Sequence, residues 1–151
     1  MTTLREKGFY VGEFRHNLDA KGRLTVPSKW RFAGDDQEDV YLGLPHPGGY
    51  ISVLPPKMIS RIEEKLMDIR MGDREGQATL QTLSALSTLF GCDKQGRINL
   101  SSSLLEHAGI TKEAVLVGNF TSFNLWNPER YDASKVKDPD AIFAALNKIG
   151  L

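Results

Sequence analysis

Cysteine is almost absent: Cys92 is the only one in 151 residues, which excludes an intrachain disulfide and a multi-cysteine zinc site. The three histidines, His16, His46 and His107, are scattered without metal-ligand spacing. There is no glycine-rich phosphate loop. No apolar run approaches the roughly 20 residues that span a bilayer. The opening MTTLREKGFY lacks the apolar stretch of a signal peptide. These gaps lead us to expect a protein of the reducing cytoplasm, with no membrane segment, metal, cofactor or small-molecule substrate, and not an enzyme. What could pass for chemistry has simpler readings. Cys92 reads as a buried structural thiol, Glu63 and Glu64 as a solvated helix face between Arg61 and Lys65, and Trp30 and Trp126 as core aromatics.

Net charge is also missing, with 19 Lys and Arg against 19 Asp and Glu. The zero hides a segregation. Residues 1–33 hold seven bases (Arg5, Lys7, Arg15, Lys21, Arg23, Lys29, Arg31) against three acids (Glu6, Glu13, Asp19), and the run Asp35, Asp36, Glu38, Asp39 cancels the excess. A neutral chain with separated signs can still present a basic face. Otherwise the composition, 40% hydrophobic and 25% charged, is that of an ordinary globular protein with a core of modest size.

What the sequence does contain is a repeat. LDAKGRLTVPS (18–28) aligns with CDKQGRINLSS (92–102), an offset of 74 residues from Asp19 to Asp93. Each has Asp, two residues, Gly-Arg, and then alternating apolar positions, Leu24 and Val26 or Ile98 and Leu100. Downstream, VYLGL (40–44) parallels VLVGN (115–119), and YISVLP (50–55) parallels FNLWNP (123–128). Near-equal spacing over four blocks argues for an old internal duplication.

Each copy predicts a strand (about 9–18 and 84–92), a turn at Asp-x-x-Gly, and a second strand (about 23–27 and 97–101) forming a hairpin. A short helix then follows, SKWRFAG or SSLLEHAG, with Pro27 or Ser101–Ser103 at its start and Gly34 or Gly109 at its end. A further strand pair closes each copy, through PHPGG (45–49) or a tighter turn near Gly118-Asn119. Between the copies, Met58, Ile59, Ile62, Leu66 and Ile69 follow helical spacing up to Gly72, and residues 76–83 suggest another short helix. In the tail, Asp138-Pro139 starts a helix with the stripe Ile142, Phe143, Leu146 and Ile149. These stripes are expected to serve the core, with a subunit interface as the alternative. No Ser- or Gly-rich linker separates the copies, so one unit with two pseudo-equivalent β modules is expected.

The turn needs Asp, which accepts backbone N–H bonds, and Gly, which supplies positive φ. It does not need Arg. Arg in both copies therefore has either a structural partner, its Asp, or an external one. A two-stranded ribbon fits a DNA major groove, where Arg can fork onto guanine or clamp a phosphate, while Lys21 suits a phosphate. A β oligomer whose Arg loops bind protein is the rival reading, and the basic content of both loops favours DNA.

The blocks HNLDAKGRLTVPSKWR (16–31), DKQGRINL (93–100) and HAGITKEAVLVGNFTSFNLW (107–126) resemble the MraZ family of bacterial transcriptional regulators, over about residues 8–131. The resemblance implies an α+β fold of duplicated SpoVT–AbrB-like β-barrel modules in one pseudo-symmetric unit. Module one would be residues 8–57, connecting helices 58–83, module two 84–131 and a helical tail 132–151. It also implies a cytoplasmic, nucleoid-associated protein that assembles into a ring and binds direct repeats in double-stranded DNA, upstream of the division and cell-wall gene cluster. Asp19 and Asp93 would shape the binding loops. Arg23, Lys21, Arg97, Lys94, Gly22 and Gly96, with Arg15 on the strand leading in, would form the DNA-binding set. Three features depart from the family. Gln95 stands where the first loop has Lys21, an extension carries Arg5 and Lys7, and the tail after Tyr131 matches weakly. The first loop is therefore expected to make more of the phosphate contact.

Overall fold

The computed structural model describes residues 8–32 and 40–151. Arg5, Lys7, Gly34 and the acidic run at 35–39 lie outside the described residues. Strand β1 (Glu13–Asn17) enters the first Asp-x-x-Gly turn and β2 (Arg23–Thr25) leaves it. Then come β3 (Tyr41–His46), β4 (Tyr50–Leu54), helix α1 (Pro56–Met67) and helix α2 (Arg74–Leu86). The rest of the chain gives β5 (Thr88–Phe90), the second turn, β6 (Arg97–Asn99), α3 (Ser102–Ala108), β7 (Glu113–Gly118), β8 (Phe123–Trp126), α4 (Pro128–Ser134) and α5 (Pro139–Lys148). The fold is α+β.

Six strands form one antiparallel sheet in the order β1-β7-β8-β4-β3-β5, and β2 with β6 form a separate two-stranded ribbon. This corrects the hairpin expectation. The arms of the first turn part company: β1 pairs with β7, Phe14 opposite Leu116, while β2 pairs with β6, Leu24 opposite Ile98. β5 likewise pairs with β3, and a single bridge, Cys92 to Ile98, links the arms of the second turn. Burial explains the choice. β1 alternates exposed and half-buried residues and suits a sheet edge, whereas Leu24 and Ile98 are wholly buried and meet across the ribbon. Because β2 and β6 take each other as partners, the described strands close no barrel; the larger sheet ends at β1 and β5.

The core lies where sheet, ribbon and α3 meet. Tyr10, Trp30, Phe32, Tyr41 and Phe123 pack there edge-on or tilted, surrounded by Ile51, Val53, Leu104, Leu116 and Leu125. Trp30 is buried as expected and donates its indole N–H to the Val11 carbonyl at 3.1 Å. Trp126 is only half-buried, stacked on Tyr50 at 4.3 Å between ring centres. Cys92 is half-buried rather than buried. Helix α3 is dictated locally: Ser101 accepts the Leu104 N–H at 3.3 Å, Leu104 and Ala108 bury one face a turn apart, and Gly109 ends it at φ 66°.

Elsewhere the helices differ from expectation. Of SKWRFAG, the described residues, up to Phe32, form only a 3₁₀ turn, Ser28–Trp30. α1 stops at Met67, a turn before Gly72, and residues 76–83 lie inside a longer helix that Asp73 caps by accepting the Gly76 N–H at 2.9 Å. α4 was not anticipated, although Asn127-Pro128 is a start signal; Asn127 accepts from Glu129 and Arg130. The expectation that the apolar stripes serve the core is overturned. No residue of α1, α2 or α5 is buried, because sheet, ribbon and α3 already complete the core. Ile142, Phe143 and Ile149 are largely exposed. No helix among the described residues is long and apolar enough to cross a membrane.

Candidate functional site

Aspartate organises the first turn. One carboxylate oxygen of Asp19 accepts the backbone N–H groups of Lys21 and Arg23, both at 2.9 Å, and the other accepts the Arg23 Nε–H at 2.7 Å. The backbone closes around it, Asp19 N–H to Arg23 O at 2.9 Å and Gly22 N–H to Asp19 O at 3.0 Å, with Gly22 at φ 76°. The second turn repeats this atom for atom. Asp93 accepts from Gln95 N–H (2.9 Å), Arg97 N–H (2.8 Å) and Arg97 Nε–H (2.8 Å), with Gly96 at φ 81°. The arginine backbone N–H, then its guanidinium, hold both Asp carboxyls below the ordinary carboxylate range against some desolvation.

The structural partner of each Arg is thus its own Asp, and the two possible roles are compatible. Nε is engaged, and no bond from the two Nη groups of Arg23 or Arg97 to the described residues is found. Held at Nε, the guanidinium keeps a forked edge of the kind that matches guanine O6/N7 or a phosphate.

The ribbon brings the two arginines together. Directly opposed residues share a face, so the register Arg23–Asn99, Leu24–Ile98, Thr25–Arg97 puts Arg23, Thr25, Arg97 and Asn99 on one side. Leu24 and Ile98 point the other way, into the core. The arginines are diagonal neighbours, roughly 7–8 Å apart, and the two glycines mark opposite ends of the ribbon, roughly 13 Å apart at 3.3 Å per residue. Lys21 and Lys94 are exposed on the loops beside them, as is Gln95.

Two residues sit differently from expectation. Arg15 does not join this face but lies among carboxylates, 3.0 Å from Asp132, 3.8 Å from Glu113 and 4.0 Å from Glu13. Arg31 was counted only as background charge, yet its guanidinium lies against Gly96: a Cβ there would be 2.6–2.8 Å from its Cζ, Nη1 and Nε. No local pattern signals this, because the contact joins the first half of the chain to the second turn.

The remaining polar groups build structure. His107 Nε2 is 2.7 Å from the His46 carbonyl, and Arg130 donates to the carbonyls of Gly49 and His107. Tyr131 donates to Glu13 at 2.5 Å; burial first, then Glu13, pushes its phenol up to about 12. Among the described residues no group of three or more His, Cys, Asp or Glu is disposed to hold a metal.

Comparison with known proteins places this sequence beside one family. The family model described as MraZ protein, antitoxin-like, matches residues 87–146, the second turn included. The transcriptional regulator MraZ of Halothermothrix orenii is 30% identical over 145 residues, covering 94% of this chain and 99% of that protein. That of Lachnoclostridium phytofermentans is 32% identical over 142 residues (94% and 98%), and that of Pediococcus pentosaceus 37% identical over 123 (82% and 84%).

Proposed function

We propose, from the premise that this chain belongs to the MraZ family and is a transcriptional regulator rather than an enzyme, that it binds promoter DNA through its two Asp-x-x-Gly-Arg turns. The observation that carries this is the outward face of the ribbon. Two arginines, each fixed at Nε by an aspartate, stand side by side with their forked edges uncommitted and lysines alongside. Arg23 and Arg97 read base edges or clamp phosphates; Lys21 and Lys94 neutralise phosphates and set position; Gly22, with open space around it, lets the backbone come close, whereas Gly96, covered by Arg31, serves its turn. Asp19 and Asp93 act through the arginines. Arg15, surrounded by acids, has a minor part.

The same reading treats residues 8–57 and 84–131 as duplicated SpoVT–AbrB-like modules, joined by helices at 58–83 and followed by a tail at 132–151. The strand order supports it: exchanging β1 with β5, β7 with β3 and β8 with β4 leaves the sheet unchanged, and Leu24 faces its own counterpart, Ile98. Several copies in a ring, with the exposed stripes of α1 and α5 at the interfaces, would present several ribbons to direct repeats upstream of the division and cell-wall genes. Avidity then multiplies weak contacts. The protein would act in the cytoplasm, on the nucleoid.

Fluorescence anisotropy on the upstream region of its own operon, titrated with salt, tests the reading. Tight binding with a steep salt dependence is expected, with a loss of tenfold or more in Arg23→Ala and Arg97→Ala. Affinity unchanged in both variants, or insensitive to salt, would overturn it.

A further inference from the structure

We infer that strand β1 and helix α4 form an ionic clasp, Glu13 and Arg15 against Tyr131, Asp132 and Lys135, which holds the C-terminal tail in place at low ionic strength and lets it go at high.

The two ends of α4 are fastened by different forces. Its start is pinned by bonds to backbone carbonyls. Asn127 donates from Nδ2 to the Gly109 carbonyl at 2.8 Å, and Arg130 donates to the carbonyls of Gly49 and His107 at 3.1 and 3.0 Å. The Arg130 guanidinium also lies against Gly109, where a Cβ would be 2.9–3.4 Å from its Nη2, Cζ and Nε. The last turn and Lys135 just beyond it are pinned mainly by charge. Arg15 donates to Asp132 at 3.0 Å, and Tyr131 donates to Glu13 at 2.5 Å. Lys135 lies 3.5 Å from Asp132, 3.8 Å from Glu13 and 4.9 Å from the centre of the Tyr131 ring. Glu113 of β7 faces the same cluster, 3.8 Å from Arg15. Arg15, expected among the DNA-binding residues, is thus occupied here.

These contacts are suited to opening. Every charged side chain in them keeps 38–55% of its surface exposed, so each pair is weak alone and accessible to counterions. The Debye length falls from about 10 Å at 0.1 M salt to about 3 Å at 1 M, comparable with the separations in the cluster. Beyond the clasp the tail has little to hold it. Among the described residues no hydrogen bond or ion pair joins residues 136–151 to the rest of the molecule, and α5 has no buried residue. The device belongs to this end of the chain only. By the 74-residue offset, Glu13 and Arg15 correspond to Ser87 and Leu89, which carry no charge. Salt therefore acts on the placement of the α5 stripe and leaves the core and the ribbon as they are.

Hydrogen exchange on the full chain, followed by NMR at about 0.1 M and about 1 M sodium chloride, tests this. The amides of Asp132, Ala133, Ser134 and Lys135, and those of α5, should exchange about threefold faster or more at the higher salt, while Leu116 and Leu125 keep their rates. Arg15→Gln should exchange fast at the lower salt already and respond no further, and Arg15→Lys should recover part of the protection. Tyr131→Phe is a second, milder opening of the clasp, in case a melt shows Arg15→Gln to be unfolded. Asn127→Ala, at the other end of α4, should loosen the helix and keep the wild-type response to salt. Tail amides of the wild type with the same rates at both salts would overturn the inference. So would a salt response undiminished in Arg15→Gln and in Tyr131→Phe, since it would then belong to contacts elsewhere. No DNA enters the experiment, so its outcome is independent of the reading above.

Discussion

At the scale of single residues, each aspartate is the hub of its turn and each arginine a group with two ends. Replacing Arg23 with Lys keeps the charge but loses both the Nε bond to Asp19 and the fork. Arg23→Lys is therefore expected to lose preference for the operator over random duplex while retaining weak, salt-sensitive binding, which competition anisotropy would measure. Asp19 and Asp93 titrate below their unfolded values, so the order they confer is complete above the ordinary Asp range near 3.9 and disappears as pH falls through the lowered folded values. The amide resonances of Lys21, Arg23, Gln95 and Arg97 should shift together in that acid window and stay fixed above about pH 5. Tyr131 has the opposite sign. Its neutral phenol is favoured by folding up to about 12, so its contribution holds below the unfolded value near 10 and is lost as pH rises through 12. Ultraviolet titration should find a phenol titrating near 12 that is absent in Tyr131→Phe. The motif itself was legible in sequence, since Asp and Gly announce a turn. The Nε bond was one of two open options, and only side-chain geometry shows that it leaves the fork unoccupied.

At the scale of elements, the two turns share a backbone and differ in tolerance. Alanine at either glycine meets a positive φ, costing about 1–2 kcal/mol. Gly96→Ala must also displace the Arg31 guanidinium, so urea unfolding should show it clearly less stable than Gly22→Ala. In α3, Ser101→Ala should cost about 1 kcal/mol through loss of the cap, and Leu104→Ala about 2–5 kcal/mol through a core cavity. Periodicity found most strands and α3, because caps, breakers and alternation are local. It misassigned partners. Which strand β1 or β2 joins depends on residues far along the chain, and β2 has too few residues to declare a partner by pattern. Periodicity also located the stripes of α1 and α5 correctly but not their use, since an amphipathic helix looks the same whether its apolar face meets the core or another subunit.

At the scale of the whole molecule, those stripes leave Leu66, Ile142, Phe143 and Ile149 exposed, and apolar side chains lined up on one helix face are the kind of surface a second subunit covers. Light scattering should give a mass several times that of one chain. Phe143→Asp in α5 should shift it toward the monomer and weaken operator binding through lost avidity, while leaving the monomer folded, because Phe143 lies outside the core. The family blocks reported the regulator's class from sequence, whereas the open sheet and separate ribbon needed coordinates. The exchange of strands between the halves carries a consequence for synthesis. On the ribosome, Phe14 emerges long before Leu116, and Leu24 long before Ile98, so β3 and β4 can pair early while β1 and β2 have no ladder to join until the second half is out. Completion of the sheet and ribbon must therefore wait for β6, β7 and β8, and until then the nascent β1 and β2 travel with their edges bare, dependent on a sequel of their own chain to be covered.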